Sequence, residues 1–143
     1  ALGAAAPEVV GESPTGGSLT IGAADRPTLL VFVAHWCPHC QAEVPRIVEL
    51  AEGGELDGVR LVAVVTGTNP AAPNFPPVAW LEREDWPGEI LLDDERVSAA
   101  SAYGLAGYPF LVALDADGRV AARSSGELEP EAVVALVERA RAG

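Results

Sequence analysis

Leu29-Leu30-Val31-Phe32-Val33-Ala34 runs directly into His35-Trp36-Cys37-Pro38-His39-Cys40, and the fold is read from that junction. The first six residues form a continuous apolar run rich in β-branched and aromatic side chains, the pattern of a strand buried on both faces. After Cys40 the period changes: Val44, Ile47, Val48 and Ala51 recur at i, i+3, i+4 and i+7, with Glu43, Arg46, Glu49 and Glu52 between them. That spacing marks an amphipathic helix. Cys37 is therefore expected at or just before the first turn of this helix, with Pro38 at an early position where its missing N–H does no harm.

The same six residues hold both cysteines and both histidines of the chain. Unpaired amide groups and the positive dipole end at a helix start favour an anion, so a thiol held there ionises more readily than a free one. An imidazolium at His39, between the two sulfurs, is expected to stabilise the Cys37 thiolate further. The thiolate is the species that attacks a disulfide. Cys40, one turn later on the same face, is placed to attack the resulting mixed disulfide and release the partner. A purely structural disulfide here would close a very short loop, worth roughly 2 kcal/mol by loop entropy. A zinc site formed from Cys37, Cys40 and one histidine lacks a second Cys or His pair to complete a tetrahedron, so no metal is expected.

A chain of 143 residues with 49% hydrophobic content fits one domain with a sizeable core. Residues 1–7 read as a linker remnant and 8–143 as the domain. No apolar run is long enough for a membrane span, and a start at Ala1 without methionine is expected of a processed or truncated product. Net charge is −12, from 21 acidic and 9 basic residues without a Lys/Arg cluster, which argues against a nucleic-acid partner. The acidity opposes a thiolate at long range, but salt screens it beyond ~8 Å, and the helix end and His39 act at shorter range.

Along the chain, Glu8-Val9-Val10 and Ser18 to Ile21 read as strands around the turn Pro14-Thr15-Gly16-Gly17. Arg60 to Thr66 reads as a buried strand, Pro77 to Glu84 as a short helix, Ile90 to Leu92 as a strand and Glu95 to Tyr103 as a helix. Trp80 and Trp86 are expected to pack or to line a surface. Phe110 to Leu114 is a buried strand, joined through the turn Asp115-Ala116-Asp117-Gly118 to an edge strand, Arg119 to Arg123. Pro130 opens a terminal helix carrying Val133, Leu136, Val137 and Ala140. The order β-β-β-α-β-α-β-α-β-β-α predicts an α/β fold, a mixed central sheet flanked by helices with an N-terminal β-hairpin extension.

These residues resemble the thioredoxin fold, and within it the TlpA-like thiol-disulfide oxidoreductases, over nearly the whole chain. Trp36-Cys37-Pro38-His39-Cys40 is similar to the family's W-C-x-x-C. Pro45 matches its helix-kinking proline, Glu43 with Pro45 its C-x-x-E-x-P pattern, and Tyr103 to Pro109 the segment ending in a cis-proline. The resemblance implies that Pro109 is cis and faces the Cys37 sulfur, and that the Tyr108 backbone pairs with an extended substrate segment. It implies that Glu43 takes the proton as Cys40 attacks. Trp36 would shield the pair, Pro38 and His39 would tune it, and His35 would cap the strand end. Val31 stands where thioredoxins have a buried aspartate, which places the proton route on Glu43. Phe110 replaces the usual threonine after the proline, giving an expectation of an apolar groove floor beside the sulfur.

The Pro-His dipeptide is shared with DsbA-type oxidases, in which it stabilises the reduced form, whereas Gly67 to Gly88 is too short for their inserted helical domain. The expected activity is thiol-disulfide exchange outside the cytoplasm, with electron flow in either direction. No cofactor beyond the Cys37–Cys40 disulfide is expected. Partners would be thiol- or disulfide-bearing proteins, with a membrane redox partner as an option. The competing readings are a thiol peroxidase, whose usual threonine is here Ala34, and a copper- or zinc-binding module, which would lack further soft ligands.

Overall fold

The computed structural model describes residues 2–143. Its elements, in chain order, are β1 (Val9–Glu12), β2 (Ser18–Ile21), β3 (Thr28–Val33), α1 (Pro38–Glu52), β4 (Arg60–Val65), α2 (Pro77–Arg83), β5 (Glu89–Leu92), α3 (Ser98–Ala102), β6 (Phe110–Leu114), β7 (Val120–Ser125) and α4 (Pro130–Ala142). This is the expected order. The strands join in one seven-stranded sheet, β2-β1-β5-β4-β3-β6-β7. β3 lies inside it, parallel to β4 and antiparallel to β6, and all six of its residues are buried. A strand covered on both faces needs no polar alternation, which is why its sequence is uniformly apolar.

Successive side chains of the central strands serve opposite layers. Leu29, Val31, Val33, Leu61, Ala63 and Val65 pack with Val44, Ile47 and Val48 of α1, Trp80 and Leu81 of α2, and Val133 and Val137 of α4. Leu30, Phe32, Val62 and Val64 pack on the other face with Ile21, Ala99 and Tyr103. Helices thus cover both faces of the mixed sheet, and the β1–β2 hairpin extends it through the Glu12–Leu92 pairing with β5. The architecture is the thioredoxin-like α/β fold. Among the described residues, no helix is long and apolar enough to cross a membrane.

Two stretches depart from expectation. The helix predicted over Glu95 to Tyr103 is confined to Ser98–Ala102. Asp94 Oδ1 accepts the Ser98 N–H at 2.9 Å, and Asp93 accepts those of Ala99 and Ala100 at 2.9 and 3.2 Å, so the two carboxylates take the first amide groups and hold residues 95–97 in a turn. The stretch read as a linker is hydrogen-bonded at residues 3–6. Gly3 N–H donates to Val120 O (2.8 Å), Val120 N–H to Ala4 O (2.9 Å) and Ala6 N–H to Gly118 O (2.8 Å). β7 is an edge strand with backbone groups to satisfy, and this small-residue segment satisfies two of them, both on Val120. Ala1 lies outside the described residues.

Candidate active site

At the end of β3 the chain turns, with Cys37 N–H donating to Ala34 O at 3.1 Å, and α1 begins at Pro38. Cys37 occupies the N-cap in an extended conformation (φ −84°, ψ 120°), so it sits where the helix's free amide groups converge. Both cysteines are thiols in this structure. Cys37 retains 7% exposure and Cys40 none, which sets the outer sulfur apart from the inner one. Burial above all pushes the Cys40 thiol up to about 12; the neighbouring Cys37 and Glu43 add to this, and a backbone hydrogen bond with Ala34 opposes it.

Glu43 lies three residues beyond Cys40 on α1 and is fully buried. Its Oε1 accepts the Leu128 backbone N–H at 2.8 Å and one Arg46 N–H at 3.4 Å. Its Oε2 has no hydrogen-bond partner among the described residues. Burial raises this carboxyl above its ordinary 4.5, partly offset by the Leu128 N–H and by Arg46. A buried carboxyl oxygen without a partner is unusual in a native core, and here it stands on the helix that carries the thiol pair.

The site contains one residue that the sequence does not flag. Glu127, between β7 and α4, accepts from His39 Nδ1 at 2.5 Å through Oε2 and from Arg46 Nη1 at 3.0 Å through Oε1. These contacts, the His39 hydrogen bond first, hold the Glu127 carboxyl below the usual range. The His39 ring is 68% exposed, and its Nδ1 is engaged by a carboxylate from the far end of the chain. The separation from His39 to Glu127 is 88 residues, so no local spacing connects them.

The residues around the pair assemble from four segments. Trp36 Nε1–H donates to Gly67 O at 2.8 Å, and its ring meets that of Tyr108 edge-on with centroids 5.5 Å apart. The Tyr108–Pro109 bond is cis, as the resemblance implies, and burial raises the Tyr108 hydroxyl. Gly67 has φ +66°, and a Cβ there would stand 2.8 Å from the Tyr108 hydroxyl oxygen, so glycine alone fits between the two aromatic rings and the loop. A second cis bond, Phe75–Pro76, was not anticipated.

His35 does more than cap the strand. Its ring is fully buried, with Nε2 accepting the Asn69 N–H at 3.1 Å and Nδ1 within 2.7 Å of Pro73 O. The first contact requires a bare Nε2, so Nδ1 carries the proton and donates to Pro73. The His35 carbonyl accepts from Gln41 and Asn74 side chains, each at 3.1 Å. One residue thereby fastens the 67–76 loop to the start of α1. Val31 is buried beneath α1, as an apolar replacement for an aspartate should be.

Phe110 requires a correction. It packs on the opposite face of the sheet from the cysteines, with its ring 5.7 Å from that of Phe32 and the Arg123 guanidinium 5.4 Å above it. Pairing of Phe110 with Phe32 in register places their side chains on one face, while Cys37 and Cys40 belong to the other layer. It is not the floor of a groove beside the sulfur. Among the described residues, no group of three or more His, Cys, Asp or Glu side chains is arranged to hold a metal ion.

Curated proteins similar to this chain share a description. The chain is 29% identical over 103 residues to the Thiol:disulfide interchange protein DsbE of Pasteurella multocida (strain Pm70), covering 72% of this chain and 52% of that protein. It is 31% identical over 103 residues to the Thiol:disulfide interchange protein DsbE homolog of Paracoccus denitrificans (strain Pd 1222), again covering 72% and 52%. The chain therefore spans about half the length of the curated relatives it matches. Among solved structures, the thioredoxin domain of a thiol-disulfide oxidoreductase from Bacteroides vulgatus superimposes with a TM-score of 0.75 at 19% identity, over 97% of this chain and 96% of that one. That likeness is one of fold. Residues 1–139 match the family model described as Redoxin, and the chain belongs to the Redoxin family.

Proposed function

We propose that the protein is a thiol-disulfide oxidoreductase acting on thiol- or disulfide-bearing proteins outside the cytoplasm, with Cys37 as nucleophile and Cys40 as resolving thiol. The observation that carries this reading is the asymmetry of the pair. Cys37 caps the helix at the edge of the core, whereas Cys40 is buried with its thiol pushed up to about 12. An inner thiol that holds its proton does not compete for the substrate and reacts only when a neighbouring base removes that proton.

The cycle follows from these positions. The Cys37 thiolate attacks one sulfur of a partner disulfide, forming a mixed disulfide and expelling the other sulfur as a thiolate that takes a proton from solvent. Cys40 then attacks Cys37 Sγ while Glu43 Oε2 accepts the Cys40 proton. The second partner thiol leaves, so two electrons pass from the protein pair to the partner. Reversal of the same steps oxidises a partner dithiol. Glu43 suits the transfer because burial raises its proton affinity and one oxygen is unengaged. Tyr108, beside Trp36, offers backbone groups to an extended segment of the partner, and Trp36 and Pro38 shape the approach to Cys37. A membrane-bound redox protein would restore the pair, which is the only redox group the cycle needs. The description of the DsbE relatives as thiol:disulfide interchange proteins supports the class of reaction.

The test is trapping. A Cys40→Ser variant incubated with a disulfide-bonded substrate protein should accumulate a mixed disulfide through Cys37, identified by mass spectrometry; absence of any such adduct would refute the assignment. The direction follows from the reduction potential, about −270 mV marking a thioredoxin-like reductant and about −120 mV a DsbA-like oxidant.

A further inference from the structure

We infer that Glu127 is a positioning residue that restrains His39 and offsets its charge, so that the Pro-His dipeptide makes the cysteine pair less oxidising than the dipeptide alone would. This deepens the oxidoreductase reading and rests on it. The dipeptide acts by favouring the anionic, reduced form of the outer cysteine, and any positive charge on the imidazole is its means of doing so. In this protein the imidazole does not stand alone. Its Nδ1 lies 2.5 Å from Glu127 Oε2, and Glu127 is itself fixed by Arg46 at 3.0 Å. A carboxylate so close lowers the net positive charge near Cys37 by one unit and fixes the ring through one of its two nitrogens.

The arrangement is built rather than incidental to a flexible surface. Arg46 Nη1 reaches both Glu127 Oε1 and Glu43 Oε1, so one guanidinium is shared by two carboxylates. The residue after Glu127, Leu128, donates its N–H to the same Glu43 oxygen and packs against the core. Two consecutive residues between β7 and α4 therefore touch the dipeptide between the cysteines and the buried carboxylate of α1. The charged groups around His39 in this network are Glu127, Arg46 and Glu43.

Glu127→Gln keeps the size and hydrogen-bonding capacity of the side chain and removes its charge. In the variant the His39 ring keeps a hydrogen-bonding neighbour but loses the carboxylate charge that offsets its own. In equilibrium with the glutathione redox couple, the Glu127→Gln protein should shift about threefold toward the dithiol relative to the unaltered protein, equivalent to ~14 mV at 29.6 mV per tenfold. Iodoacetamide alkylation of Cys37 should be about twofold faster, because the gain in thiolate is half offset by lower nucleophilicity. Both changes should be smaller when Glu127→Gln is placed on a His39→Ala background, where only the direct field of the lost carboxylate on Cys37 remains. No change, a shift toward the disulfide, or an equal shift without His39 would overturn the inference. Alkylation needs no disulfide exchange, so a response in alkylation without any exchange with glutathione would remove the oxidoreductase reading and leave the Glu127–His39 coupling standing.

Discussion

Leu128 donates its backbone N–H to Glu43 Oε1 at 2.8 Å, across 85 residues of sequence, and so ties the start of the last helix to the active-site helix. The bond satisfies one oxygen of a fully buried carboxyl and leaves the other without a partner. That half-satisfied state accounts for the raised affinity of Glu43 for a proton.

Glu43→Gln should slow the resolution step by about 10²-fold, the scale of a lost general base. In rapid-quench measurements the mixed disulfide should accumulate, with the initial attack by Cys37 little altered. A resolution rate within twofold of the unaltered protein would refute the role.

The same residue sets a pH dependence of stability. A carboxyl raised in the folded state binds more protons there than in the unfolded chain, so its contribution falls as pH rises above the ordinary 4.5. Glu89, Asp94 and Glu127 are shifted the other way, and their contributions are lost as pH falls below their ordinary values, 4.5 for the two glutamates and 3.8 for Asp94. Urea midpoints of the oxidised protein from pH 4.5 upward should therefore decline, and Glu43→Gln should flatten that decline. Persistence of the slope in the variant would assign it to another group.

Cys40 should resist labelling in the native state. With its thiol at about 12, only ~1 part in 10⁴ is thiolate at pH 8. Brief iodoacetamide treatment of the reduced protein at that pH should modify Cys37 and leave Cys40 free, as read by peptide mass spectrometry. Equal labelling of both would show that the inner thiol is neither buried nor raised.

His35→Leu should cost about 2–4 kcal/mol, because it leaves the Asn69 N–H and the Pro73 carbonyl without their partner. The loss should be localised. Limited proteolysis should cut within residues 67–76 well before global unfolding, whereas uniform protection of that loop would contradict its anchoring by this ring.

Phe110→Thr should cost about 3 kcal/mol through the cavity left beside Phe32 and Tyr103. The rate of Cys37 alkylation should stay unchanged, since the ring lies across the sheet. A changed rate with unchanged stability would return Phe110 to the active site.

Much of the fold is legible in the sequence because its signals are local. The apolar run of β3, the switch of period at Cys37, Pro38 and Pro130 at helix starts and the Asp117-Gly118 turn each report on a few neighbouring residues, and the element order follows from them. The shortness of α3 is not legible, because Asp93 and Asp94 compete for backbone amides, an effect that apolar periodicity does not register. Phe110 was misplaced because the face a strand residue takes depends on register with its neighbours, and the pairing with Phe32 decides it.

The available chemistry is written locally in the chain: two thiols one helical turn apart, at a strand-to-helix junction, with a carboxylate on the next turn. Tertiary structure decided the inequality of those thiols, because burial and the desolvation it brings arise only when α1 packs on the sheet. It also decided what surrounds them. His39 meets Glu127, Glu43 meets Leu128 and Trp36 meets Gly67 across separations of 88, 85 and 31 residues. Hydrogen bonds and Coulomb forces act over a few ångströms of space without regard to chain distance, so these partners are fixed by how the layers dock.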